Sequence, residues 1–547
     1  MTASPAPAPP PGRAGWRLWP QALAALLLLN ASLTFTNVWP TPKVRWSWAI
    51  SLELALVVLA ITLAPHAARR LARRVLPALW LVLAFGRYLA VTGPGLYGRE
   101  FNIYWDGEHL GNVTAMLARA VPPWLLAAGG LATLLLLAGA WLVARTALMW
   151  MASAASAREV RPVLATLAAI VVTAFAVQAA PTRPEATLRF AEPVTPAYAR
   201  QVRNVLALAG PGPVLGATPE ALDLPLDGLG GADVLVVFVE SYGAITYDDP
   251  RFAGSLAASR GDLAVAAEET GRHVLSAFVA PPTFGASSWL SHLSFLTGVN
   301  VRDQYAYTAL MASDRDTLPR AFRRRGYRSV ALMPGMRQLW PEGAFYGFDA
   351  IYGRAALDYQ GPQFGWWSIP DQYALAKLDA LERLRADRAP VFAFFPTSTT
   401  HAPFGPVPPY QPDWPRILTA EPFDAGEAAA RLAAWPDLTN LAPSYLQATA
   451  YEFVTFAGYL RQHAADDLVM ILIGDHQPPA AVSGPDAPWE VPIHVIARQP
   501  AIVDHLLAHG FRRGMTPERP AIGALHALVP TLMGAFSTPA TAAPAAR

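Results

Sequence analysis

The stretch Asp233–Gly243, DVLVVFVESYG, decides the fold. Six apolar, β-prone residues, Val234–Val239, run straight into a carboxylate, Glu240. An ionised group in that place has to face a cleft, hold a proton or find a partner. Similar β-rich runs follow at Val274–Val279, Ser329–Met333, Val391–Phe395, Leu468–Ile473 and Ile493–Ala497. They alternate with helix-compatible segments such as Asp371–Arg385 and Tyr445–His463. That alternation predicts an α/β domain with a largely parallel central sheet flanked by helices. In such sheets ligands gather beyond the carboxyl ends of the strands. Glu240, the stretch Thr397–His401 and the pair Asp475–His476 each follow an expected strand directly.

The remainder of the chain is of a different texture. Of 547 residues, 53% are hydrophobic and only 15% charged, and the mean hydropathy is +0.26. Such values point to membrane-embedded sequence. Apolar runs of spanning length crowd the first third, and five spans are expected: Leu18–Val38, Trp46–Ala64, Val75–Val91, Pro122–Val143 and Pro162–Ala180. Arg69, Arg70, Arg73 and Arg74 after the second span place that connection in the cytoplasm, and Arg145, Arg158 and Arg161 agree. Five spans with a cytoplasmic N-terminus put everything after Ala180 outside. Glu53 and Arg87 fall at similar depth below the outer surface, with Asn30 beside them, and an ion pair between them is expected. The expected organisation is a disordered stretch 1–15, a five-span domain 16–182, a Pro/Gly/Ala-rich linker 183–232, the α/β domain 233–537 and a disordered tail 538–547. A net charge of +2 gives no reason to expect nucleic acid as a partner. The chain has no cysteine, so disulfides, thiolate metal sites and cysteine nucleophiles are excluded.

Three short motifs carry the chemistry. Asp475–His476, in Ile-Gly-Asp-His, offers a carboxylate and an imidazole side by side, donors that suit Zn²⁺ or Mn²⁺. Glu240 adds a second carboxylate. Pro281–Gly298 reads PPTFGASSWLSHLSFLTG: Gly285 can supply a turn, and Ser287 or Ser288 sits near the start of a helix ending at Thr297–Gly298. A hydroxyl there either faces the open backbone amides as a nucleophile or serves as an N-cap.

Taken together, these residues make Asp233–Gly534 resemble the alkaline phosphatase/sulfatase superfamily. Within it, the membrane-anchored lipoteichoic acid synthase and phosphoglycerol or phosphoethanolamine transferase group shares the expected five-span architecture. By that resemblance, counting ten residues back from the glycine of Leu-Thr-Gly, Gly298, lands on Ser288 as the nucleophile. Glu240, Asp475, His476 and the Ser288 oxygen become the ligands of one divalent metal ion, Mn²⁺ or Zn²⁺, with Mg²⁺ or Ca²⁺ as further options. His401, in Ser-Thr-Thr-His-Ala-Pro-Phe, matches the histidine that contacts the substrate's phosphate or glycerol. Trp340, in Leu-Trp-Pro-Glu-Gly, falls where the synthases carry a Trp-x-Arg substrate clamp, although Glu342 stands in place of the arginine. Sulfatases mature their nucleophile in a Cys/Ser-x-Pro-x-Arg setting; here Leu290 and His292 occupy the Pro and Arg positions, so a plain serine is expected. His292 is a further candidate near the substrate, with a packed helix-face histidine as the alternative. Asp371 is followed four residues on by Leu375 and not by a histidine, so a second metal site is not expected.

What the resemblance implies is a multi-pass protein of the bacterial inner membrane with a periplasmic catalytic domain. It would move a phospho-head group from a membrane phospholipid donor to a glycan or lipid acceptor through a phosphoserine. A sulfatase-like hydrolase of phosphate or sulfate esters is the alternative, and a catalytically silent membrane scaffold a further one.

Overall fold

The computed structural model describes residues 18–38, 41–97, 101–108, 111, 114, 122–179, 188–207, 215–337, 340–365, 369–484 and 486–537. The expected disordered ends 1–15 and 538–547 lie outside these. The chain divides into two compact units, one of Met1–Gly95 with Glu100–Gly210, the other of Pro211–Arg547 with Leu96–Arg99.

The first unit is helical: α1 Leu18–Thr34, α2 Leu52–Leu63, α3 His66–Tyr97, α4 Pro123–Ala154, α5 Arg161–Gln178 and α6 Thr195–Ala207. Helices occupy all five expected span positions, but among the described residues only three stretches are long and apolar enough to cross a membrane: Arg74–Pro94 within α3, α4 and α5. The helix α1 has 17 residues and α2 only 12. At ~1.5 Å per residue, α2 covers well under the ~30 Å of a hydrocarbon core. Asn30 is the reason α2 starts late. Its Oδ1 accepts from the Ser51 amide at 2.9 Å and its Nδ2 donates to Ala49 O at 2.8 Å, which holds the chain extended up to Ser51. Ser51 then caps α2 by accepting from the Leu54 amide. Small residues let α1 pack closely on α4, with Ala22, Ala25 and Leu29 in one core with Ala144, Ala147 and Leu148.

The expected Glu53–Arg87 ion pair does not form. Glu53 Oε1 accepts from the Val194 amide at 2.5 Å and the Thr195 amide at 3.3 Å, at the start of α6. Arg87 donates to the carbonyls of Phe35 and Glu192. Each side chain is taken by backbone groups of the segment leading into α6, whose unsatisfied amides compete for a buried carboxylate.

The second unit is a three-layer sandwich around an eight-stranded sheet. Its strands are β1 Asp233–Val239, β2 His273–Val279, β3 Arg328–Leu332, β4 Ala350–Tyr352, β5 Val391–Pro396, β6 Leu468–Gly474, β7 Val491–Ala497 and β8 Arg512–Arg513. The spatial order is β8-β2-β7-β6-β1-β5-β3-β4. The five strands from β6 to β4 are parallel, and β7 runs antiparallel to both β6 and β2, so β2 again points the same way as β6. Alternate residues of β1 feed two different cores. Val234, Val236 and Phe238 join α8 Ser288–Thr297, α9 Leu318–Arg324, α12 Pro500–Ala508 and α13 Leu528–Phe536. Leu235, Val237 and Val239 join α7 Pro250–Glu269, α10 Asp371–Leu378 and α11 Ala442–Gln462. Apolar cover on both faces explains why the run is unbroken instead of alternating. Leu222, Leu226 and Leu229, which composition alone assigns to a linker, pack into the first of these cores.

A polar cluster centred on His494 interrupts the apolar interior of the sheet. His494 on β7 faces Ser276 on β2 in register, with Nδ1 2.6 Å from Ser276 Oγ and Nε2 3.0 Å from the Tyr242 hydroxyl. Since the Ser276 hydroxyl donates to Gly514 O, Nδ1 carries the hydrogen and Nε2 accepts: the neutral imidazole satisfies every partner. Burial, reinforced by the Arg260 guanidinium, lowers this histidine to about 3. An unfolded histidine titrates near ~6.5. Below that pH the unfolded chain takes up a proton that the fold refuses, so this contribution is complete above ~6.5 and is lost as pH falls toward 3. Acidification from pH 7 to 4.5 is expected to cost about 3 kcal/mol at this residue. Urea unfolding at several pH values should show a shallower acid limb for His494→Gln than for wild type; equal slopes would refute the assignment.

Candidate metal centre and active site

Because β1, β5, β6 and β2 run in one direction, the residues just past their ends share one edge of the sheet. Glu240 leaves β1, Thr397 leaves β5, Asp475 leaves β6, and Ser288 opens α8 nine residues beyond β2. Cross-links between these turns are short. The Glu240 amide donates to Thr397 Oγ1 at 3.0 Å, and the Ser241 amide to Asp475 Oδ1 at 2.8 Å. Gly474 is needed for this closeness. It is the last residue of β6, and a Cβ there would lie 1.9 Å from Tyr242 O. The Tyr445 hydroxyl of α11 secures the same Ser241 turn by donating to Ser241 O at 2.8 Å.

Ser288 is the first residue of α8. The preceding Ser287 adopts a left-handed backbone, φ 68°, and makes no side-chain cap bond. Ser241, next to Glu240, is left-handed as well, φ 59°. Two non-glycine residues in that region cost on the order of 1–3 kcal/mol each, a strain that clusters at functional sites. The conformation at Ser287 turns the Ser288 hydroxyl away from capping and into the cleft. It donates to Glu240 Oε2 at 2.8 Å and lies 3.1 Å from His476 Nε2.

Glu240, Asp475 and His476 are buried, and each offers a ligand atom within 4.8 Å of the others. His476 Nδ1–H donates to Gln477 O at 2.7 Å, which leaves the Nε2 lone pair facing the carboxylates. Nε2 is 3.4 Å from Glu240 Oε1 and 3.6 Å from Asp475 Oδ2. Ligands at ~2.0–2.1 Å from a tetrahedral ion sit about 3.3 Å apart, the range of these spacings. Asp475 Oδ2 is buried without a hydrogen-bond partner, an orphan that a cation would satisfy. The electrostatics agree. Burial, then the neighbouring Glu240 charge, pushes the Asp475 carboxyl up to about 7. Burial pulls His476 down, but Asp475 and Glu240 more than offset it and raise its pKa. The donor set of two carboxylates, one imidazole and one hydroxyl fits Zn²⁺ or Mn²⁺.

The other expected residues fall in different surroundings. His401 follows β5, and its Nδ1–H donates to Ala402 O at 2.8 Å. Burial lowers its pKa, and the charges of His476 and Asp475 reach it. His292, one turn after Ser288, has its ring edge-on to Phe238 at 4.7 Å and Phe394 at 5.4 Å, and burial holds it neutral with a pKa of about 4. Trp340 packs on the Tyr346 ring at 5.2 Å and over Gly343, on the segment joining β3 to β4. Sequence reasoning missed Ser241, Tyr445 and Ser291, whose hydroxyl donates to Asp475 O at 2.6 Å. The spacing of Ser291 from Ser288 puts both on one helix face, a signal that was legible.

Asp371 also acquires a part that its motif did not suggest. At the start of α10 it accepts from the Ser398 amide at 3.0 Å and the Thr399 amide at 2.7 Å. Gln372 beside it holds Gln411 by a reciprocal pair of bonds. Together they pin both feet of the loop that carries His401. Fully buried Glu452 lies against Asp371, and burial plus the Asp371 charge pushes its carboxyl far above the usual range, so the pair retains a proton.

A direct consequence concerns metal uptake. Asp475 has to lose its proton to bind a cation, so affinity for Zn²⁺ or Mn²⁺ should fall as pH drops below about 7. Calorimetry and metal analysis are expected to show one ion per wild-type chain and none retained by Asp475→Asn. Stoichiometric metal in that variant would refute the site.

Residues 276–510 match the sulfatase family. Among curated protein sequences none matches the chain. Similar solved structures include the lipooligosaccharide phosphoethanolamine transferase EptA from Neisseria meningitidis. It is 15% identical, with 94% of this chain and 96% of that one covered at a TM-score of 0.44. The lipoteichoic acid synthase LtaP from Listeria monocytogenes is 14% identical, over 61% and 80% of the two chains, at 0.36. The periplasmic domain of EptC from Escherichia coli, in complex with Zn, is 12% identical, over 58% and 84%, at 0.34. The family match spans Ser288, His401, Asp475 and His476.

Proposed function

We propose that this enzyme is a membrane-anchored, metal-dependent transferase. It moves a phospho-head group of the phosphoglycerol or phosphoethanolamine type from a lipid to an envelope glycan or lipid. The observation that carries the reading is the placement of the Ser288 hydroxyl, 2.8 Å from Glu240 and 3.1 Å from His476 Nε2, at the amide end of α8. The five-span topology, with the catalytic unit on the periplasmic side of the bacterial inner membrane, belongs to the same proposal. It rests on the basic residues between the expected second and third spans.

Glu240, Asp475, His476 and Ser288 would hold the ion. When bound, it lowers the pKa of the hydroxyl and neutralises charge on the phosphate oxygens. Ser288 Oγ attacks phosphorus; the Oγ–P bond forms, the P–O bond to the lipid alcohol breaks, and the alcohol leaves with a proton. The first amides of α8 face the charge that develops on the phosphoryl oxygens. An acceptor hydroxyl then attacks the same phosphorus, and Ser288 regains its hydrogen as the Oγ–P bond breaks. His401, neutral at pH 7 through burial, binds a phosphate oxygen or takes the acceptor's proton. Trp340 borders the head group from the β3–β4 connection, and His292 supports α8 from behind through Phe238 and Phe394. The sulfatase family match favours one other reading, in which water takes the acceptor's place and the enzyme hydrolyses phosphate or sulfate esters.

A phospholipid labelled in its head group, supplied with envelope material, separates the two. Label on a glycan or lipid supports transfer, and label in water alone supports hydrolysis. Ser288→Ala is expected to lose activity by on the order of 10³-fold or more while keeping its fold, and wild type should yield a head-group adduct on Ser288 by mass spectrometry. Undiminished activity in Ser288→Ala would end the assignment. Asp371→Ala, which releases the His401 loop, should lower turnover by about 10²-fold with metal content unchanged. Turnover equal to wild type would show that the loop needs no such anchor.

A further inference from the structure

Among the described residues of the helical unit, Arg87 is a feature that the fold does not fully account for. It lies on the long apolar helix α3, is 6% exposed, and forms no ion pair with any described carboxylate. Three of its five N–H groups are committed: Nε and Nη2 to Phe35 O, at 3.1 and 3.0 Å, and Nη1 to Glu192 O at 3.1 Å. The remaining two, one on each terminal nitrogen, have no acceptor among the described residues. The nearest buried carboxylate, Glu53, is spent on the Val194 and Thr195 amides. A buried guanidinium with uncommitted donors in a membrane helix marks a site for an anion.

The donors line a pocket of about 150 Å³ wholly within this unit. Leu89, Val91 and Pro94 of α3, together with Ile103 and Ala197, give it apolar walls, and Arg200 adds a second guanidinium at its margin. One wall is built through a glycine. A Cβ at Gly86 would fall 2.4 Å from the Tyr198 ring, so glycine alone lets Tyr198 lie against α3, where its hydroxyl donates to Val82 O at 2.6 Å.

We propose that this pocket binds the phosphodiester of a membrane phospholipid, with the phosphate against Arg87 and the acyl chains along Leu89, Val91 and Pro94. Arg87 and Arg200 outnumber the one carboxylate that lines the pocket, Glu192, and favour phosphate, and the apolar walls select a lipid over a free phosphate ion. The identification of the occupant as the donor rests on the transferase reading above; the pocket itself does not. On that reading the pocket loads substrate from the bilayer and raises its local concentration for the enzyme.

The test uses the full-length protein, delipidated in detergent and titrated with dioleoylphosphatidylglycerol under native mass spectrometry. Wild type and Ser288→Ala should retain the lipid equally. Ala197→Phe, which fills the pocket while leaving Arg87 in place, and Arg87→Gln should each bind at least 10-fold more weakly with thermal unfolding of Ala197→Phe unchanged. Leu136→Phe on the bare face of α4 should bind as wild type does. Equal lipid retention by Ala197→Phe, or equal loss in Leu136→Phe, would mean non-specific adsorption and overturn the proposal. Displacement of the lipid by millimolar inorganic phosphate would reassign the pocket to free anions and overturn it as well. Specific lipid binding without head-group transfer by wild type would sink the transferase reading and leave the pocket standing.

Discussion

Two carboxylates, Glu240 and Asp475, are buried side by side because they terminate adjacent parallel strands, and the active edge depends on that juxtaposition. Parallel pairing of β1 with β6, Val239 opposite Gly474, delivers both chain ends to the same place. Burial disfavours the ionised form and the neighbouring Glu240 charge repels it, which is why the Asp475 carboxyl rises to about 7. The sheet therefore creates a demand for positive charge, which a divalent cation would meet together with His476. Everything nearby is arranged around that demand: Gly474 for close approach, Ser241 and Ser287 in left-handed backbone, and Ser288 with its hydroxyl turned inward.

The same logic of competing partners operates in the helical unit with a different result. There the carboxylate of Glu53 and the guanidinium of Arg87 occupy comparable depth, yet neither chooses the other. Backbone amides at the start of α6 outcompete the arginine for Glu53, and two carbonyls take part of Arg87. Charge pairing inferred from depth alone ignores the chain that returns between the helices. An arginine left with spare donors is then a feature to be explained by what it binds.

Rigidity at the site comes from polar groups set behind it. The His494 cluster fixes Tyr242, two residues past Glu240. Asp371 and Gln372 fix the loop of His401 at both feet. Neither cluster touches the candidate metal ligands' open side, so each can tighten the geometry without obstructing a substrate.

Six β-rich runs in the sequence correspond to six strands of the sheet, and its largely parallel pairing was legible because unbroken apolar runs and helix-length spacers leave few other folds; β7 alone of the six runs the other way. The motif residues Glu240, Ser288, Asp475 and His476 were legible as donor types at strand and helix ends. Local pattern carries that much, since periodicity and terminal residues are properties of short segments. Only the tertiary structure decided the rest. It made Gly474 a point of backbone contact, wedged His292 between Phe238 and Phe394, shortened α2 through Asn30, and drew Leu222 to Leu229 into the core. Each of these depends on what a residue meets from a distant part of the chain, a quantity that no window of neighbouring residues contains.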